Sequence, residues 1–304
     1  MRIGFDYGGT KIAGIALAPE GTTLAQVRVP TPRHDYDGGI NAIKGMMQQL
    51  EAEAGAKAQN VGIGVPGSVD RNNGRITLGN SVWLHGRDLR ADLRAALDRP
   101  VAVANDANCF ALSEAVDGAG AGAKVVFGAI LGTGVGGGVV VDGTLIEGAN
   151  AIGGEWGHIP LPSPRDDERP GPVCSCGVAG HTEAWLSGPS LAADYARRIG
   201  EPVENGPTAP EVIALADVGN PDARETMDRF EDRLARALAT IINFLDPDVI
   251  VMGGGLSNVD RIYQNVPQLI KTHVFGDKYN TRLLRNVHGD SSGVRGAAWL
   301  VPRV

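Results

Sequence analysis

Cysteine is scarce in this sequence and odd in number: three in 304 residues give no disulfide framework and point to a reducing compartment, the cytoplasm. Met1-Arg2-Ile3-Gly4-Phe5-Asp6 puts charge and a strand where a secretory signal needs an apolar stretch. The longest uncharged stretch, between Lys124 and Asp142, is interrupted by six glycines and falls short of the ~18 apolar residues of a membrane helix, so no membrane span is expected. Basic clusters are missing too. With a net charge of −7, the chain does not suit nucleic acid, whose phosphates require Lys and Arg gathered on one face. Aromatics make up only 5% of the residues, whereas 43 glycines, 43% hydrophobic and 21% charged residues describe a globular protein. At roughly 150 residues per domain the length suggests two domains.

Ile3 to Tyr7 reads as a buried strand and Ile12 to Ala18 as its return, with Asp6-Tyr7-Gly8-Gly9-Thr10-Lys11 at the hairpin tip. The pattern recurs. Val125 to Leu131 is a strand, Gly132-Thr133-Gly134 a turn, and Val139 to Leu145 the next strand. Between them Ile40, Ile43, Met47 and Leu50 fall at helical spacing, Val61 to Val65 is a strand, and Leu89, Leu93 and Leu97 mark another helix. This alternation predicts an α/β fold. Val101 to Ala104 is a short strand from which Asn105-Asp106 caps the helix carrying Cys109, Leu112 and Val116. The segment from Gly153 to Pro172 has no period and reads as a long loop. Asn220-Pro221 opens a helix with an apolar stripe of Met227, Phe230, Leu234, Leu238, Ile241 and Leu245. Val249 to Met252 is a strand, Gly253-Gly254-Gly255 a third glycine turn, and Val259 to Ile270 a helix after Ser257-Asn258.

Gly132-Thr133-Gly134-Val135-Gly136-Gly137 satisfies GxGxxG formally. A Rossmann fingerprint must open a helix, however, and here β-branched Val139-Val140-Val141 and Asp142-Gly143 continue a hairpin. No P-loop occurs either, since Lys11 has no Ser or Thr after it. Glycines at hairpin tips let backbone N–H groups approach phosphate, and Thr10, Lys11 and Thr133 add hydroxyls and a cation. Tight turns needing positive φ are the alternative reading. Asp6 beside such a turn is costly without a divalent cation between carboxylate and phosphate, which suggests Mg²⁺.

The motifs Asp6-Tyr7-Gly8-Gly9-Thr10-Lys11, Leu131-Gly132-Thr133-Gly134 and Gly253-Gly254-Gly255 resemble the ATP-binding motifs of the ROK-family sugar kinases. Asn105-Asp106-Ala107-Asn108, Gly154-Glu155-Trp156-Gly157-His158, Cys174-Ser175-Cys176-Gly177 and Gly289-Asp290-Ser291-Ser292-Gly293 follow that family's signatures in order, so the resemblance runs from end to end. It implies the actin-like, ribonuclease H-like ATPase fold with a duplicated βββαβα-type core. Two lobes, 1–117 with 290–304 returning to it and 118–289, are expected to close over ATP and a hexose. The resemblance makes Asp106 the general base toward the sugar 6-hydroxyl. Gly67, Asn80, Ser81, Asn105, Glu155, His158 and Glu183 become sugar contacts; Asp6, Gly8, Gly9, Thr10, Lys11, Gly132, Thr133, Gly134, Gly136, Gly137, Gly254 and Gly255 become contacts to ATP and Mg²⁺. It also implies a homodimer.

His158, Cys174, Cys176 and His181 offer two thiolates and two imidazoles, a set that could complete a tetrahedral structural zinc site. The family pattern CxCGxxGCxE has cysteine where this chain has His181; zinc accepts nitrogen or sulfur. His158 is expected to serve zinc with one ring nitrogen and the sugar with the other. Cys109 reads as a core residue. Within the family, Trp83-Leu84-His85-Gly86, the run Glu155 to Pro162 and Val274-Phe275-Gly276 are more similar to bacterial fructokinases that also accept mannose, so D-fructose is the expected acceptor. N-acetylglucosamine kinases share Leu131 to Gly138 and Asn108 to Glu114 at least as well and supply the alternative. Two further readings are a sugar-responsive repressor, for which Asp6 leaves no preceding DNA-binding domain, and a sugar-independent ATPase of the same fold, which the Glu155/His158 loop and the cysteines oppose.

Overall fold

The computed structural model describes residues 1–70, 73–77, 79, 81–276 and 278–301. The chain forms β1 (Arg2–Tyr7), β2 (Lys11–Leu17), β3 (Thr23–Pro30), α1 (Tyr36–Ala54), β4 (Val61–Val65), β5 (Ser68–Val69), β6 (Ile76–Thr77), α2 (Leu89–Leu97), β7 (Val101–Asn105) and α3 (Asp106–Val116). There follow β8 (Val125–Leu131), β9 (Val135–Val141), β10 (Thr144–Leu145), α4 (Glu183–Leu186), α5 (Gly188–Ile199), α6 (Ala209–Asp217), α7 (Pro221–Leu245), β11 (Val249–Gly253), α8 (Asp260–Ile270), β12 (Arg282–Arg285) and α9 (Ser292–Trp299). One sheet has the order β3-β2-β1-β4-β7 and the other β10-β9-β8-β11-β12. Both orders run third, second, first, fourth, fifth, so the expected duplication is present. β1 pairs antiparallel with β2 and parallel with β4, β4 is parallel to β7, and β11 is parallel to β12.

Central strands covered on both faces need continuous apolar sequence rather than alternation, and β4, Val61-Gly62-Ile63-Gly64-Val65, is buried throughout. α1 starts at Asp35, whose carboxylate accepts from Gly38 N at 2.8 Å, and stops at Gly55 in the left-handed conformation. Its Ile43, Met46, Met47 and Leu50 pack into the core of Ile3, Phe5 and Ile63. Each such buried side chain contributes roughly 1.5–3 kcal/mol. The other face of the sheet receives α9, and two strand glycines admit its backbone. A Cβ at Gly4 would lie 2.2 Å from Ala298 N, and one at Gly62 would lie 1.7 Å from Ala297 O. The last helix therefore returns to the first sheet, as the resemblance implies.

The chain divides into two compact units, residues 1–128, 138–154 and 287–304 in the first and 129–137 with 155–286 in the second. The first extends beyond the expected 1–117 and takes back 138–154, because the division cuts across β8 and β9 instead of falling in the loop before them. Two elements differ from the sequence reading. β9 begins at Val135, four residues early, and reverses at Asp142, whose φ is +50°; the expected strand to Leu145 is thus two strands. α8 begins at Asp260 after Val259, since Ser257 is taken up in a short 3₁₀ turn where its hydroxyl donates to Gly254 O at 2.7 Å. In α7 the stripe holds from Met227 to Leu238, but Ile242 is buried at the last turn in place of Ile241.

Candidate active site

The first unit presents two chain turns. At the hairpin tip after β1, Thr31 Oγ1 donates to Gly8 O at 2.7 Å, Arg33 Nε to Gly9 O at 2.9 Å and Arg33 Nη2 to Thr10 Oγ1 at 3.0 Å. Turn carbonyls are thereby occupied from one side. Asp6, at the end of β1, has its pKa pushed up to about 6 by burial, with Lys11 and then Arg28 opposing. A buried carboxylate this costly to ionise suits a cation partner. A Cβ on Gly293, near the start of α9, would stand 3.4 Å from Asp6 Oδ2, so the Gly289–Gly293 motif converges on the same carboxylate.

The second turn joins β7 to α3. Asn105, not Asp106, is the cap: its Oδ1 accepts from Ala107 N at 2.9 Å and Asn108 N at 3.2 Å, while its Nδ2 donates to Gly67 O at 3.0 Å. Asp106 is the first helical residue, with Oδ1 accepting from Ala107 N at 2.8 Å. Gly67, at φ +100°, takes a conformation open chiefly to glycine. Ser81 is buried with its hydroxyl unpaired among the described residues. Asn80 lies outside the described residues. Cys109 is fully buried, with Gly64 and Gly296 against it, as a core residue should be.

In the second unit the Gly132–Gly134 turn is closed by Gly132 N to Gly134 O at 2.9 Å and held by Gly188 N, at the start of α5, donating to Gly132 O at 2.8 Å. Gly136 and Gly137 are not in this turn. They belong to β9, which starts directly after Gly134, and Gly136 O accepts from Trp156 Nε1 at 2.7 Å. Gly254, at φ +77°, brings the third glycine turn onto the end of β8, where a Cβ would stand 2.3 Å from Leu131 O. A cavity of about 1060 Å³ opens beside these turns, lined by Gly132, Thr133, Gly255 and by Pro189, Ile213, Leu256 and Arg261. Its apolar walls and glycine floor have the makings of a nucleoside site.

Glu155 precedes and His158 ends a 3₁₀ turn, Trp156–His158, pinned by the Trp156 bond. Gly157 allows that turn to touch β9, because a Cβ would meet Val135 O at 2.1 Å. Burial raises the Glu155 pKa, against the nearby His158. Glu183 accepts from Val135 N at 3.0 Å and from Ser175 Oγ at 2.6 Å, and its pKa is lowered, these bonds outweighing burial.

The four soft ligands converge. One ligand atom from each of His158, Cys174, Cys176 and His181 lies within 4.8 Å of all the others, with His158 Nδ1 at 3.6 Å from Cys174 Sγ and His181 Nδ1 at 3.2 Å from Cys176 Sγ. Zn–S bonds of about 2.3 Å and Zn–N of about 2.0–2.1 Å in a tetrahedron require ligand spacings of this order, so the residues fit zinc. A small hairpin sets them: Cys174 N donates to Val178 O at 2.9 Å, and His181 pairs with Pro160 across the loop.

The sequence profile of the ROK family matches residues 2–304. The chain belongs to the ROK family. It is similar, at 42% identity over 99% of both chains, to an N-acetyl-D-glucosamine kinase of Photobacterium profundum. Among solved structures it resembles the ROK hexokinase of Thermus thermophilus (TM-score 0.87, 30% identity, 99% and 97% of the chains). It likewise resembles a ROK glucokinase of Streptomyces griseus in complex with glucose and AMPPNP (TM-score 0.79, 27% identity, 99% and 98%). This ROK chain is a sugar kinase of the actin-like ATPase fold. Among its described residues no helix is long and apolar enough to cross a membrane.

Sequence reading of this ROK kinase missed Arg33, Trp156, Pro189, Ile213 and a buried charge cluster. In that cluster Glu168 accepts from Arg233 Nε at 2.8 Å and from Arg236 Nη2 at 2.8 Å, and Arg233 Nη1 donates to Asp194 at 2.8 Å while its guanidinium covers the Trp185 ring. Arg233 and Arg236 lie on the side of α7 away from its apolar stripe, where the sequence pattern alone points to solvent and gives no signal of burial.

Proposed function

We propose that this ROK kinase transfers the γ-phosphoryl group of ATP to the 6-hydroxyl of a hexose, and that the hexose is N-acetyl-D-glucosamine. The reading of Asp106 as base is supported by its place: it is the first residue of α3, directly after Asn105, whose side chain caps that helix and donates to Gly67 O in the glycine loop after β4. Its carboxylate takes the O6 proton as O6 attacks the γ-phosphorus and the bond to the β-phosphate oxygen breaks, releasing ADP. Gly67, Ser81, Asn105, Glu155, His158 and Glu183 hold the sugar, with Asn80 proposed from sequence alone. Gly8, Gly9, Thr10, Lys11 and Gly132 to Gly134 hold phosphates, the cavity beside Gly255 takes the nucleoside, and Asp6 is the Mg²⁺ carboxylate. Mg²⁺ supplies charge neutralisation on the phosphates. Zinc on His158, Cys174, Cys176 and His181 supplies rigidity to the sugar loop. A homodimer is proposed from the resemblance.

The acceptor assignment is supported by the N-acetyl-D-glucosamine kinase relative at 42% identity. D-fructose, with mannose, is the second reading, and it rests on the likeness of Trp83-Leu84-His85-Gly86 and the run Glu155 to Pro162 to fructokinases. ADP release with N-acetylglucosamine, fructose, mannose, glucose or N-acetylmannosamine, against a control without sugar, ranks the acceptors by kcat/KM. N-acetylglucosamine in first place is expected; fructose in first place transfers the assignment to the second reading, and turnover independent of sugar contradicts both.

A further inference from the structure

Glu183 sits where three segments of the second unit meet. Its Oε2 accepts from the backbone N–H of Val135, the residue directly after the Gly132–Gly134 turn, at 3.0 Å. Its Oε1 accepts from Ser175 Oγ at 2.6 Å, and Ser175 stands between the metal-site residues Cys174 and Cys176. A Cβ on Gly134 would come within 2.7 Å of Oε2, so the turn and the carboxylate are in close register. One carboxylate therefore grips the donor-phosphate turn with one oxygen and the cysteine hairpin with the other.

We infer that Ser175 and Glu183 are positioning residues that couple the cysteine hairpin to the Gly132–Gly134 turn, so that filling the metal site strengthens nucleotide binding. The inference rests on the proposed zinc and ATP sites. The Cys174 thiol also reaches Glu183 Oε1, at 3.4 Å. Fixing the hairpin fixes the serine, the serine orients the carboxylate, and the carboxylate orients Val135 N–H and the turn before it. Oxygens of a carboxylate accept more than one hydrogen bond each, so Glu183 retains capacity for a sugar hydroxyl. Linkage requires the effect to be mutual: nucleotide must raise metal affinity by the factor by which metal raises nucleotide affinity.

The test is the affinity of the full chain for Mg·AMPPNP by calorimetry, with zinc content measured in each sample, for the wild-type chain as zinc-loaded and as chelator-stripped protein. Zinc-loaded Ser175→Ala and Ser175→Thr are compared with it, and circular dichroism verifies folding. Stripping the wild type is expected to weaken nucleotide binding about threefold to tenfold, the range for losing one hydrogen bond. Zinc-loaded Ser175→Ala should show a similar loss with zinc retained, and Ser175→Thr, which keeps the hydroxyl, should restore the affinity. Equal affinity in loaded, stripped and Ser175→Ala proteins overturns the coupling and leaves the kinase reading standing. A folded wild type that binds no nucleotide, or no zinc, overturns the underlying site assignments and the coupling with them.

Discussion

Asn105 ties the end of β7 to the loop after β4 by donating from Nδ2 to Gly67 O at 3.0 Å. Its Oδ1 caps α3 through Ala107 N and Asn108 N, so a single amide fixes strand end, helix start and glycine loop together. Asp106 inherits its position from that arrangement.

Asp106→Asn keeps side-chain size and should preserve both the fold and sugar binding while lowering kcat by at least ~10²-fold, the lower range for losing a positioned base. Steady-state kinetics with a thermal melt check it. A variant with undiminished kcat refutes the assignment of the base.

Zinc should copurify at close to one ion per chain. Cys174→Ala and His181→Ala should lose it, whereas His181→Cys should retain it, because zinc takes either donor. Elemental analysis of purified protein decides the matter, and a metal-free wild type of full activity and unchanged melting temperature refutes a structural role.

Glu168→Gln should reveal how much of the fold depends on the buried charge cluster. The Arg236 and Arg233 guanidiniums and the Arg165 amide hold the Glu168 pKa down at about 2, against burial. With its folded value below the ordinary carboxylate value, the group favours the folded state above about pH 4–5 and loses that contribution as pH falls toward 2. At neutral pH the substitution takes one anion from two buried guanidiniums, which keep Asp194 and Asp232, and should cost about 1.5–3 kcal/mol. Urea melts across pH should show the variant less stable at pH 7 and less sensitive to acid; equal acid sensitivity would tell against the cluster.

Mg²⁺ demand should grow as the solution is acidified. Proton and cation compete for Asp6, whose pKa stands near 6 before metal binds, so half-saturating Mg²⁺ should climb steeply from pH 7 to pH 5. Asp6→Asn should remove the Mg²⁺-dependent activity at every pH. A half-saturating concentration constant over that range excludes Asp6 as the cation's carboxylate.

Much of this was legible in the sequence for physical reasons. Val61 to Val65 declares a doubly covered strand by its continuous apolar run, and Leu89, Leu93 and Leu97 declare one helical face, all three of which are buried. Gathering of the His158, Cys174, Cys176 and His181 donors followed from residue type. The limits of β9 were hidden because Val135-Gly136-Gly137 is as glycine-rich as the turn before it, and nothing local tells that Gly136 O will receive the Trp156 indole. The Glu168 cluster joins residues over 60 positions apart, beyond any periodicity. Acceptor identity stayed open for a different cause, since hexoses differ by hydroxyl placement while the residue types that bind them are the same.

Product analysis tests phosphoryl transfer to sugar most directly. The chain is incubated with ATP, Mg²⁺ and N-acetylglucosamine, and the products are followed by phosphorus magnetic resonance. The expected result is one ADP per sugar 6-phosphate with no free phosphate above the control. Phosphate at another sugar position, or ADP accompanied by inorganic phosphate alone, would contradict it.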